Sequence, residues 1–239
     1  MIVAAIPGDG VQPVASVRPS EAAVPTPTAE PTPSPTRSPS PTPESTPTPS
    51  AAPTALPEGE VADLCEIFFD IPCALGAGRY APSRFEPRFD IELGAGWSNA
   101  VHGEDIVALT RPEGTVTFAG RIREVYPGDE TDEPGQRPRD LIEAIMSTDG
   151  VTATDPAEVR IDRRRGLSTD LAPSGSERVQ LFATESSTFH LEPERTTRIV
   201  AIDLPGDDTI LLVIEPNDGH ELADILETAD PAAGTIRWR

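Results

Sequence analysis

Beyond residue 60, apolar and polar positions alternate in short runs, the period of half-buried strands. Phe89, Ile91 and Leu93 alternate with Asp90 and Glu92, and Gly94-Ala95-Gly96-Trp97 closes that run. Strands are predicted over 105–109 and 115–118 with Arg111-Pro112-Glu113-Gly114 as their turn, and over 120–126 as a continuation. Four more follow over 157–162, 166–171, 177–184 and 188–191. A longer hairpin has arms at 198–203 and 209–214, joined by Leu204-Pro205-Gly206-Asp207-Asp208. Its second arm is apolar without a break, as in a central strand covered on both faces.

Helical spacing occurs twice. Leu141, Ile142, Ile145 and Met146 make one stripe, with Pro138 suited to the first turn and Gly150 to the stop. Leu222, Ile225, Leu226 and Ala229 make the other, before a short last strand over 234–238. Strands dominate and the helices stand apart, which predicts an α+β domain: a largely antiparallel sheet packed by two helices.

The first 59 residues obey neither period. From Val24 to Thr54 the chain is almost wholly Pro, Thr, Ser and Ala, with little to bury. Such a tract cannot offset the entropy of ordering and is expected to be a disordered, polyproline-like stalk. The organisation expected is a stalk over 1–59 and one globular domain over 60–239. Stalks of this kind belong to exported, often O-glycosylated proteins, so an extracytoplasmic place, at the cell surface or secreted, is expected. Met1-Ile2-Val3-Ala4-Ala5-Ile6-Pro7 is too short for a signal core or a bilayer span. The expectation is a start upstream of Met1, with an unseen membrane anchor. Export by another route is the alternative.

The net charge of −21 disfavours nucleic acid and anionic membrane surfaces as partners. Arg163-Arg164-Arg165 reads as a solvated turn. The chain has no lysine, which excludes a Walker A loop, a Schiff-base enzyme and a Ser-x-x-Lys acyl enzyme. Cys65 and Cys73 read as a disulfide in an exported chain. A cysteine metal site and two free buried thiols are the other readings.

Three stretches resemble the PsbP-like family of exported α/β/α sandwich domains. They are Gly78-Arg79-Tyr80 through Phe85-Glu86-Pro87-Arg88-Phe89 into Gly96-Trp97, the hairpin over 200–214, and the late helix leading to Thr235-Ile236-Arg237-Trp238. The chain departs from the family at Ala232-Ala233-Gly234, where larger residues are usual. The opening also resembles that of stalked bacterial envelope proteins. The resemblance implies a non-enzymatic docking domain, and it carries over no catalytic residue.

Several groups have the residue types for chemistry. His220-Glu221-Leu222-Ala223-Asp224 approaches the zinc-protease helix pattern, in which ligands at i and i+4 share a face. Asp218 before Glu221 reads instead as a capping box. Asp129, Glu130, Asp132 and Glu133, with Asp140 beyond, offer hard oxygen ligands for calcium, but Pro134 stands where an EF-hand needs glycine. Asp203, Asp207 and Asp208 read as hairpin chemistry. Gly76-Ala77-Gly78-Arg79-Tyr80-Ala81 mimics a dinucleotide fingerprint, yet Pro82 follows and no helix opens. Gly94-Ala95-Gly96 reads as a turn. A serine with His102, His190 or His220 would make a hydrolase, though no Gly-x-Ser-x-Gly elbow exists. Trp97 and Trp238 would make a glycan platform if exposed, and core if not.

No catalytic, cofactor-binding or metal residue is therefore assigned, and no cofactor is expected. The leading expectation is a non-catalytic sensor, docking or ligand-binding domain displayed on a stalk, with a cell-envelope protein or glycan as partner. Two alternatives are a calcium- or zinc-dependent envelope enzyme or adhesin, and an output domain of a membrane-anchored regulator.

Overall fold

The hairpin whose second arm is apolar without a break lies inside the largest sheet. A computed structural model describes residues 53–67, 71–126, 137–206 and 208–239. Strands β14 (Thr197–Asp203) and β15 (Thr209–Pro216) form the hairpin expected there, with Gly206 at φ 94 in its turn. Their side chains divide between two cores. Val200, Ile202, Ile210, Leu212 and Ile214 enter one, and Ile199, Ala201, Leu211 and Val213 enter the other. A strand covered on both faces needs both side-chain sets apolar, and β15 has them.

Around this hairpin runs a nine-stranded sheet. The order from one edge is β10 (Ala157–Ile161), β11 (Arg164–Pro173), β14, β15, β7 (Gly114–Ala119), β6 (Ile106–Arg111), β5 (Ser98–His102) and β2 (Cys73–Ala74), with β9 (Val151–Ala153) also on β11. All its pairs are antiparallel. One helix packs on each face. The first, α1 (Pro138–Met146), lies on β11 and β14 and buries Leu141, Ile142 and Ile145. The second, α2 (Leu222–Gly234), lies on β15 and β7 and buries Ile225, Ala229 and Ala232. Each fully buried Leu, Ile or Phe on these faces contributes about 1.5–3 kcal/mol.

Two smaller sheets complete the layers. On the α2 side, β1 (Val61–Ala62), β3 (Gly78–Tyr80), β4 (Phe89–Leu93) and β16 (Arg237–Trp238) form a four-stranded sheet, whose β1–β3 pair is parallel. On the α1 side, β8 (Glu124–Val125), β12 (Val179–Ala183) and β13 (Thr188–Leu191) form a three-stranded one. The fold is α+β with mostly antiparallel sheets, as the patterning predicts.

Several elements differ from expectation. The run 120–126 is no continuous strand: Arg121 takes φ 50, the chain turns, and only β8 pairs afterwards. Strand β5 is unforeseen because a bulge between Asn99 and Val101 breaks its alternation. Helix α1 stops at Ser147 rather than at Gly150, which instead takes φ 83 in the next turn. Residues 234–236 belong to the end of α2 and its turn, leaving a two-residue last strand. Leu56 already touches the fold, its N–H donating to the Ala77 carbonyl at 2.8 Å. Most of the Pro/Thr tract, residues 1–52, lies outside the described residues.

Cys65 and Cys73 form a disulfide. It ties the lead-in segment, where Leu64 is buried, to β2 at the sheet edge. Asn99 holds the same segment from β5, donating from Nδ2 to the Cys65 carbonyl at 2.7 Å.

Candidate ligand-binding site

The edge hairpin β10–β11 has a two-residue turn at Asp162-Arg163. Both take left-handed φ, 47 and 67, the geometry whose twist suits a tight hairpin. This turn sets the register, pairing Ile161 with Arg164 and Arg160 with Arg165. Ile161 and Val159 pack into the α2-side core. Strand alternation therefore sends Glu158 and Arg160 to the α1 side, with Arg165 and Leu167 beside them.

Between this face and the start of α1 lies an open groove of about 560 Å³, within the range of small-ligand sites. The sheet supplies Arg160, Arg165, Glu158 and Asp203, with Leu167 as an apolar floor. Helix α1 supplies Arg137, Arg139 and Asp140. Two of its charges are closed off: Arg137 Nε donates to Asp140 Oδ2 at 2.7 Å, and Arg139 pairs with Glu143 at 3.6 Å.

Arg160 and Arg165 are different. Neither has a carboxylate within 4.0 Å among the described residues. Outside this hairpin every described arginine except Arg79 has such a partner, as expected with acids in such excess. Like charges directly opposite on paired strands are destabilising. The hairpin thus concentrates unpaired positive charge in a protein of net −21. Arg160 does not stand out in the sequence, and the cluster Arg163-Arg164-Arg165 read as a solvated turn has only Arg163 in the turn, since Arg164 and Arg165 begin β11. The legible signal is the pairing: once Asp162-Arg163 is the turn, residues 160 and 165 must face each other.

The residues singled out by the sequence have other duties. His220 Nδ1 lies 3.5 Å from Asp224 Oδ2, and the same oxygen accepts the Glu221 N–H at 2.9 Å at the start of α2. The cap thus joins Glu221 to Asp224, three residues later than expected, because Asp218 pairs with Arg195 instead. Among the described residues no three His, Cys, Asp or Glu side chains are placed to hold a metal. Asp129, Glu130, Asp132, Glu133 and Asp207 lie outside the described residues.

Gly76-Ala77-Gly78 leads into strand β3 rather than a helix, with Tyr80 Oη donating to the Gly76 carbonyl at 2.8 Å. Gly94-Ala95-Gly96 turns between β4 and β5, Gly96 at φ 92. Arg111 then covers Trp97, 5.4 Å above its ring, and the indole is only 2% exposed. Trp238 is half-buried against Phe89. The two indoles make no exposed platform.

The histidines also part company. His102 Nε2 lies 3.8 Å from Asp63 Oδ1, and Ser83 Oγ donates to the other oxygen of Asp63. In a hydrolytic triad the imidazole stands between serine and acid; here the acid stands between serine and imidazole. Burial alone would raise the Asp63 carboxyl, but hydrogen bonds from Ser83 and Leu64, with His102 nearby, hold it below the usual range. Burial pushes His102 down against the pull of Asp63. His190, on β13, is lowered by burial and by Arg178.

One titratable group gave no signal in the sequence. Glu215, near the end of β15, lies among Glu192, Arg195 and Arg178, and Arg178 Nε already pairs with Glu192 at 2.8 Å. Burial, then the Glu192 charge, pushes its carboxyl up to about 7. Its apolar strand context hides it: a single acid at the end of Thr209-Ile210-Leu211-Leu212-Val213-Ile214 reads as the strand's end.

No family model matches the chain, and no curated protein matches it. Among solved structures it is similar to a crystal structure from Bacteroides thetaiotaomicron VPI-5482, at 11% identity and a TM-score of 0.37. The match spans 69% of this chain and about half, 49%, of that one.

Proposed function

We propose that the protein is a non-catalytic ligand-binding or docking domain that works outside the cytoplasm, displayed on the Pro/Thr-rich tract, with the α1–β10–β11 groove as its recognition site. One observation carries this reading: unpaired arginines gather on a single edge hairpin and open into a groove, while among the other described arginines all but Arg79 are paired. The Cys65–Cys73 disulfide supports an oxidising compartment. No helix among the described residues is long and apolar enough to cross a membrane. A helix on each face of an antiparallel sheet supports the PsbP-like resemblance, and with it docking rather than turnover. The order Ser83–Asp63–His102 favours a structural clasp over a nucleophile.

Cosedimentation of the purified full chain with bacterial envelope preparations tests this. Binding by the wild type, lost in Arg160→Glu/Arg165→Glu, is the expected result. No envelope binding by the wild type, or hydrolase activity abolished by a single substitution at Ser83 or His102, overturns it.

A further inference from the structure

The charges in the groove narrow the class of ligand, on the reading just given. Arg160 and Arg165 face each other across the hairpin, and both point to the α1 side. Opposed guanidinium groups form a fork that an anion bridges by charge-assisted bonds, which also relieves their mutual repulsion. A bare anion would be opposed by Glu158 and Asp203, which line the same groove and have no ion-pair partner among the described residues. Ionised carboxylates only accept hydrogen bonds. A ligand that suits both pairs carries an anionic group for the arginines and several hydroxyl donors for the acids. It also needs a compact apolar face to cover Leu167 and Pro138.

We infer that the groove binds an acidic saccharide, the anionic group on Arg160 and Arg165 and ring hydroxyls on Glu158 and Asp203. The groove's volume of about 560 Å³ accommodates one or two sugar units. Its openness to solvent along the edge strand lets a longer chain run past β10. A carboxylate or a phosphate on the sugar meets the same chemistry.

Calorimetric titration of the full chain with glucuronate, glucose 1-phosphate, glucose and inorganic phosphate tests it. The expected order places one or both acidic sugars roughly tenfold or more above both glucose and phosphate. Glucuronate alone, or the sugar phosphate alone, identifies which anion the envelope ligand carries. Arg160→Gln/Arg165→Gln should lose roughly tenfold or more in acidic-sugar affinity. Arg163→Ala, at the hairpin tip, should lose nothing. Glu158→Gln/Asp203→Asn should weaken the sugars and strengthen inorganic phosphate. Circular dichroism and the melting temperature establish that each variant is folded.

The inference is overturned by glucose binding as well as the acidic sugars, by phosphate binding as well as the sugar phosphate, or by a folded Arg160→Gln/Arg165→Gln that keeps full affinity. No heat with any sugar also overturns it. If envelope binding still depends on Arg160 and Arg165 in that case, docking stands and the partner is an acidic protein. If envelope binding is absent too, both readings fall.

Discussion

Among the described acids, Glu215 is one whose surroundings oppose its charge. It is the last residue but one of β15, the six before it are buried, the Glu192 charge acts on it, and Arg178 and Arg195 already pair with other carboxylates. Its carboxyl is pushed from 4.5 to about 7, burial being the main cause. For an acid raised in the folded state, folding is penalised by the charged form. The penalty is complete above about pH 7, shrinks as pH falls, and is gone below about 4.5. A rise from 4.5 to about 7 corresponds to roughly 3–4 kcal/mol, an upper bound. Glu215→Gln should therefore stabilise the protein at pH 8 by on the order of 2–3 kcal/mol and leave it unchanged at pH 4. Urea unfolding at the two pH values measures this. Equal stabilisation at both would show that shape, not charge, sets the effect.

At the scale of elements, the lead-in before β3 is held by the β1–β3 pair, by the Asn99 bond to the Cys65 carbonyl and by the disulfide. Strand β2 has two residues, and the disulfide cross-links it to the segment carrying Leu64. For a loop this short, chain entropy gives about 2.5 kcal/mol. Reduction, or Cys65→Ala/Cys73→Ala, should lower Tm by about 5–10 °C in a domain of this size. Scanning fluorimetry with and without reductant checks it, and an unchanged Tm would mean that the edge holds without the bond. The same elements show what a sequence can reveal. Strand β4 and both helices are legible from their periods, and β14 and β15 from the near-continuous apolar runs that burial on both faces requires. Strand β5 is not, because its bulge shifts the face of each residue after Asn99. The cap of α2 is read three residues early because Arg195, distant in sequence, takes Asp218 away. The candidate groove was hidden for a similar reason: Arg160 and Arg165 gain meaning only from a register and from partners they lack.

At the scale of the folded layers, Asp105 is a buried polar joint between the central sheet and the three-stranded one. It is 4% exposed, just before β6 in the central sheet, yet its carboxylate belongs to the three-stranded sheet. Oδ1 accepts from Ser186 Oγ at 2.6 Å and Oδ2 from Ser186 N at 2.8 Å, in the turn between β12 and β13. Its own carbonyl accepts from Gly120 N at 2.9 Å, so one residue fixes two loops. Burial would raise this carboxyl, but the bonds from Ser186 and Thr184 outweigh it and hold it below 3.8. An acid lowered in the folded state stabilises folding fully above its unfolded value, and that stability is lost as pH falls through the folded one. Asp105→Asn keeps the shape and removes the charge. It should cost about 2 kcal/mol at pH 7, the worth of hydrogen bonds to a charged acceptor. The difference from wild type should then shrink as pH drops below 3.8. Hydrogen exchange at pH 7 should show the loss first in the amides of the β12–β13 hairpin, which this carboxylate anchors. A uniform loss across all three sheets would mean that Asp105 supports the central sheet itself, and not its joint with the smaller one.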